Sequence, residues 1–207
     1  MRALFYETKD NAHGLTHDPF KAIVSPRPIG WIGTRGNDGS VNLAPYSFFN
    51  AISDNPKMVM FSSIGRKDTL RNVEETRVFT TSMVGRALTE KMNLSSANAP
   101  YGENEFGFSG LTMAEARLIN APFVAEAHAA LECKVTDTFE VKDLDGQPSD
   151  SFVVIGQVVG IHIDEAALVN GRLDMAAVAP LARLGYMDYA DAAQTFEMRR
   201  PAWPLKT

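Results

Sequence analysis

Residues 25–63 read SPRPIGWIGTRGNDGSVNLAPYSFFNAISDNPKMVMFSS, and this stretch decides the fold class. Residues 29–34 form a short apolar run, and Asp38-Gly39 is a strong turn signal after it. Residues 41–52 resume the extended pattern, with Pro45 expected to mark a break or bulge. After Asn55-Pro56, residues 57–64 (KMVMFSSI) are too apolar on both faces for an ordinary surface strand. Just upstream, residues 20–25 are short and apolar; Pro26 and Pro28 interrupt them, which places an extended segment at an edge or bend.

Working outward, the period changes at residues 67–76 (KDTLRNVEET). Asp68 or Thr69 can cap a helix whose Leu70 and Val73 share one face. Residues 77–84 are β-branched and extended, 87–97 are helical by propensity, and 98–110 read as a loop. Residues 113–119 read as helical or irregular. Two longer strands follow, 128–141 and 151–163, separated by the Asp-Gly turn in KDLDGQPSD. The last forty or so residues mix short helices with irregular chain. Strands joined by hairpins, with few helices between them, indicate a mainly β protein: a closed antiparallel barrel with peripheral helices, not a βαβ sheet. No repeat or linker divides the chain, so residues 1–207 are expected to form a single domain with a C-terminal extension from about residue 165.

Composition narrows the function classes. Hydrophobic residues make up 45% and charged residues 22%, which is globular and not disordered. A net charge of −5 and a pI near 5.4 argue against a nucleic-acid partner, though a local basic pocket for one small anion remains open. Cys133 is the only cysteine, which excludes an intrachain disulfide and a cysteine-built zinc site. The longest apolar runs, 152–155 and 158–163, fall far short of the ~20 residues that span a bilayer. The start, MRALFYETKDNAHG, turns polar after five residues and lacks a secretory apolar region. The expectation is a soluble, cytoplasmic protein with no membrane partner.

Several chemistries have no motif here. Neither G-x-G-x-x-G at a strand–helix junction nor G-x-x-x-x-G-K-[ST] occurs. His13 and His17 are close, but Gly14 and Pro19 argue against a helix that would pair them, and no HExxH is present, so no metal site is expected. His128 and His162 sit in expected strands, where satisfied half-buried histidines are commoner than ligands or bases.

Two clusters carry chemistry. In SSIGRKDTLRN, residues 62–72, a strand ends in Ser62 and Ser63, Gly65 frees the backbone, Arg66 and Lys67 follow, and a helix opens at Asp68-Thr69. Free N–H groups at a helix start, two cations and several hydroxyls suit a phosphate monoester. The same residues also describe an ordinary capped surface helix with solvated cations. In the second cluster Asn42, Tyr46, Ser47 and Asn50 interleave with Ala44, Phe48 and Phe49. Small residues admit a flat ring, polar groups bond its edge and aromatics cover it. Simple alternation along a barrel strand would produce the same pattern.

The 25–63 stretch followed by RKDTLRNVEETRVFTTSMV (66–84) resembles the flavin reductase-like family, the FMN-binding split barrels, and within it the flavoredoxin-type branch. The likeness is dense over 20–84 and looser through GFSGL (107–111), the later paired strands and PLARLGYMDY (180–189). It implies a split β-barrel that binds FMN non-covalently near a homodimer interface. Ring and ribityl neighbours would be Ser25, Arg27, Pro28, Thr34, Asn42, Ala44, Pro45, Tyr46, Ser47, Phe48, Phe49 and Asn50. The phosphate would sit on Ser62, Ser63, Lys67 and Thr69, beside Arg66 and Asp68.

The resemblance further implies a flavin reductase: NADH or NADPH as donor, and hydride passed through FMN to free flavin or a partner, with a monooxygenase as a candidate. Chemistry on the flavin requires no catalytic acid–base residue. The alternative is a flavoredoxin-like electron-transfer or flavin-carrier protein without nicotinamide activity, and a third reading is an interaction module that binds no flavin. In ARLGYMDY (182–189), Arg183, Tyr186 and Tyr189 are the candidate substrate residues, with Gly185 as a hinge. Packing of these aromatics on their own barrel is the competing expectation.

Overall fold

The chain enters the fold through one helical turn, Phe20–Ile23 (α1), and a two-residue strand, Arg27–Pro28 (β1). This computed structural model describes residues 3–203. Gly30–Arg35 (β2) and Val41–Tyr46 (β3) then form the expected hairpin; Asp38 tightens its turn by accepting from the Ser40 N–H (2.9 Å) and hydroxyl (2.6 Å). Phe49–Asp54 (β4), Lys57–Ile64 (β5), Asp68–Thr76 (α2) and Val78–Met83 (β6) follow. Next come Thr89–Leu94 (α3), Glu105–Phe108 (α4) and a small hairpin of Met113–Glu115 (β7) with Pro122–Val124 (β8). The long hairpin Ala129–Lys142 (β9) and Pro148–Ile163 (β10) completes the main sheet.

That sheet runs β3-β2-β6-β9-β10-β5-β4, and every neighbouring pair is antiparallel. Its two end strands, β3 and β4, are consecutive in the chain and joined by Ser47 and Phe48 alone. Six inter-strand steps of about 4.8 Å would separate them by about 29 Å in a flat sheet. The link spans roughly 11 Å at most. The sheet must therefore curl into a barrel, and the Ser62 N–H donates to the Phe48 carbonyl (2.8 Å) at the closure.

β2 is buried on both faces. Ile32 points into the barrel with Phe61, Phe79 and Val154, while Trp31 points outward to Leu43, Met92 and Phe106. Leu70 and Val73 of α2 are fully buried in the inner cluster, so the helix closes one end of the barrel. Each such side chain contributes about 1.5–3 kcal/mol on burial. On β9, Glu132 is buried and accepts from the Arg117 N–H (2.8 Å), the Leu118 N–H (2.7 Å) and the His162 ring (2.6 Å), holding the loop after β7 against the barrel.

Several local expectations are corrected. Residues 20–25 are not extended: Asp18 accepts from the Phe20 N–H (2.8 Å) and Pro19 starts the turn of α1. Pro45 does not break its strand, because β3 ends the sheet and an end strand tolerates a missing N–H. The break in 41–52 falls at Ser47-Phe48 instead. Neither Asp68 nor Thr69 caps α2; Lys67 occupies the cap position without a side-chain bond, and Asp68 pairs with Arg71. The 98–110 loop contains α4, started by Asn104, whose side chain accepts from the Phe106 and Gly107 N–H groups. Residues 113–115 are strand, not helix.

Beyond residue 165 come Leu168–Val169 (β11), Arg172–Leu173 (β12), Met175–Val178 (α5), Leu181–Arg183 (β13) and Tyr189–Asp191 (β14). β13 pairs with both β1 and β14, so the C-terminal segment returns to the start of the barrel. Among the described residues no helix is long and apolar enough to cross a membrane.

Candidate functional site

A cavity of about 560 Å³ opens where the β3–β4 link, the β5–α2 junction, the segment after α3 and the β13–β14 turn converge. That is within the range of small-ligand pockets. Asn42, Ala44, Pro45, Tyr46, Ser47 and Phe48 form one wall, and Ser62, Lys67, Asp68 and Thr69 form the next. Arg27, Arg183, Tyr186 and Tyr189 also line the cavity.

The second wall is chemically the most specific. With no side chain capping α2, its first-turn N–H groups lack side-chain partners beside the exposed Lys67 ammonium. Thr69 is 1% exposed, and its hydroxyl oxygen accepts from Asn42 Nδ2 (2.7 Å), which leaves its own proton free to be donated. The Tyr46 hydroxyl is buried near Thr69 and Ser63 yet makes no hydrogen bond, and burial pushes its pKa up. A neutral donor without a partner, an uncapped helix start and a cation in one cavity fit a phosphate-bearing ligand. Ala44 and Pro45, beside Tyr46, offer a low wall against which a flat ring can lie.

Seven expected site residues lie outside this lining. Ser25 donates its hydroxyl to the Ala22 carbonyl (2.7 Å), Pro28 sits exposed in β1, and Asn50 bonds the Ala51 N–H (2.9 Å). Thr34 and Ser63 are buried behind the wall: Thr34 accepts from Asn72 Nδ2 (3.1 Å), and Ser63 donates to the Gly65 carbonyl (3.1 Å). Phe49 packs on the inner core. Arg66 turns away to pair with Glu74 and cover the Phe152 ring. Gly185 is not a hinge; a Cβ there would stand 2.4 Å from Ala22 Cβ, so the turn is pressed onto α1.

The lining also holds residues that sequence reasoning missed: Lys21, Ile29, Met92, residues 95–99, Glu105 and Leu184 among them. Burial raises the Glu105 carboxyl above the usual range, while the Leu43 N–H it accepts (3.0 Å) opposes that rise. Asn104 ahead of Glu105-Phe106 was a readable helix-start signal. Nothing local marks Ser95, whose hydroxyl accepts from Trp31 Nε1 (2.9 Å) across the outer core.

Comparison with known proteins agrees with this architecture. A model of the flavin reductase like domain matches residues 24–184. An uncharacterized protein of Halalkalibacterium halodurans is 34% identical over 184 residues, covering 86% of this chain and 87% of its own. The crystal structure of nitrilotriacetate monooxygenase component B from Bacillus cereus superposes with a TM-score of 0.84 at 28% identity, over 96% of this chain and 100% of that one. Flavoredoxin of Desulfovibrio vulgaris (Miyazaki F) shares the fold, with a TM-score of 0.72 at 22% identity over 86% and 92% of the two chains.

Proposed function

The chain belongs to the family of flavin reductase like domains, and on that premise we propose that it is an FMN-dependent NAD(P)H:flavin reductase. The observation that carries the cofactor assignment is the uncapped start of α2 opening into the cavity beside Lys67 and Thr69. There the first-turn N–H groups, the Lys67 ammonium and the Ser62 and Thr69 hydroxyls would hold the FMN phosphate. Ala44 and Pro45 would seat the ring, with the Tyr46 hydroxyl as a donor inside the same wall. FMN, when bound, would supply hydride acceptance and onward electron transfer. The protein's own part is to hold the phosphate, exclude water from one ring face and leave the other face open on the Arg183 side.

The test is spectroscopic and kinetic. Purified protein should carry or take up FMN, seen as flavin absorbance, and should oxidise NADH or NADPH with free flavin as acceptor. Flavin-loaded protein inert to both nucleotides would overturn the reductase reading in favour of an electron carrier. Protein that takes up no flavin would overturn the cofactor assignment itself.

A further inference from the structure

The register of β1 on β13 sets Arg27 directly opposite Arg183, and both line the cavity. Like charges directly opposite on neighbouring strands destabilise a sheet. Arg27 is 7% exposed, and its terminal nitrogens donate to the Lys21, Val24 and Leu184 carbonyls, while its Nε–H has no partner. Neutral carbonyls satisfy donors without cancelling the charge. Arg183 stacks over the Tyr189 ring at 4.4 Å and donates to the Tyr186 carbonyl (2.5 Å), leaving the rest of its guanidinium fork open. Among the described residues neither arginine makes a salt bridge. Asp68 and Glu105 line the same cavity, but Asp68 pairs with Arg71 and the Glu105 carboxylate faces the Leu43 N–H. Lys21, also on the lining, adds a third cation on the arginine side.

The cavity thus has two positive poles, the start of α2 and the Arg27–Arg183 pair. A single phosphate at α2 leaves the second pole uncompensated, and a buried cation without a countercharge is costly. We propose that the Arg27–Arg183 pair, with Lys21, is the anchor for an anionic group, carboxylate or phosphate, on the second ligand that enters this cavity. The proposal rests on the first pole being the cofactor-phosphate site.

FMN-loaded protein is titrated with benzoate and with ADP-ribose by calorimetry, using benzamide and adenosine as uncharged counterparts. At least one anion should bind at least about tenfold more tightly than its counterpart. Arg183→Gln should weaken that binding by about tenfold or more with flavin occupancy unchanged, and Lys21→Gln, at an exposed position, should weaken it less. Benzoate alone points to a carboxylate substrate and ADP-ribose alone to the phosphates of a dinucleotide; either result supports the pair as an anion anchor. Binding of neither anion, equal binding of charged and uncharged probes, or unchanged affinity in both variants overturns it. Should the protein take up no flavin, the cofactor reading fails separately. The same titrations on flavin-free protein then decide the anchor by whether Arg183→Gln abolishes anion binding.

Discussion

Asn42 Nδ2 donates to Thr69 Oγ1 at 2.7 Å, tying β3 to the first turn of α2 inside the cavity wall. Thr69 therefore has two jobs, and its variants should separate from those of Lys67. Lys67→Ala should weaken FMN binding by about tenfold, equivalent to ~1.4 kcal/mol, and leave the melting temperature of the flavin-free protein unchanged because the side chain is exposed. Thr69→Val should lose flavin affinity and also about 1–3 kcal/mol of stability, since it strands the buried Asn42 amide. Thr69→Ser should restore both. Flavin occupancy after gel filtration, read with denaturation midpoints, checks all three; full occupancy in Lys67→Ala would remove the phosphate from this wall.

Glu132 makes stability depend on acid. Burial alone would raise its carboxyl, but the Arg117 and Leu118 N–H groups and the His162 ring outweigh burial and hold it below the usual range. A group whose folded pKa is depressed contributes its full stabilisation above its unfolded value, near 4.5, and loses it as the pH falls through the folded value. Denaturant midpoints should therefore drop below pH 4.5. Glu132→Gln should cost about 1–3 kcal/mol at neutral pH, because one loop N–H loses its acceptor, and should show a shallower drop in acid. An equally steep acid dependence in the variant would locate the effect elsewhere.

Cys133 is buried, and burial, assisted by the neighbouring Glu132 charge, pushes its thiol up to about 12. At pH 8 almost no thiolate exists to react. An aromatic disulfide reagent should release no chromophore from native protein and one equivalent after denaturation. Rapid labelling of the native protein would contradict the packing of the inner cluster.

Residues 46–49, the aromatic-rich link between β3 and β4, are half-buried within one protomer. The exposed apolar groups lie beside them: Phe20 (59%) and Ile23 (74%) on α1, with Ile64 (55%) and Tyr186 (48%) on the cavity lining. A homodimer covering this rim is expected. Sedimentation at micromolar concentration should give about twice the 22.7 kDa chain mass, and a mass near 22.7 kDa would refute it.

Local chemistry made much of the barrel legible. The Asp38-Gly39 turn, the two-faced apolar run at 57–64 and the period change at Leu70 and Val73 each lead to the element observed. What stayed hidden depends on sheet position. Pro45 reads as a break until β3 is known to end the sheet, and Ser47-Phe48 reads as mid-strand until β4 is known to pair at the opposite end. The same holds at the site. The Lys67–Thr69 and Asn42–Phe48 walls were readable as motifs, whereas Ser95, Glu105 and Leu184 reach the cavity only through tertiary packing. The pairing of Arg27 with Arg183 is likewise a matter of register between β1 and β13, which lie near opposite ends of the chain.

The cavity walls come from stretches of chain spread between Lys21 and Tyr189, brought together because β3 and β4 are forced to meet. A small molecule seated among them would act as a non-covalent cross-link, resisting separation of the N-terminal turn, the barrel and the returning C-terminal strand together. At a concentration one hundred times its dissociation constant it would add about 2.7 kcal/mol against unfolding. Heat resistance and resistance to proteases at both ends of the chain would then rise and fall with ligand supply.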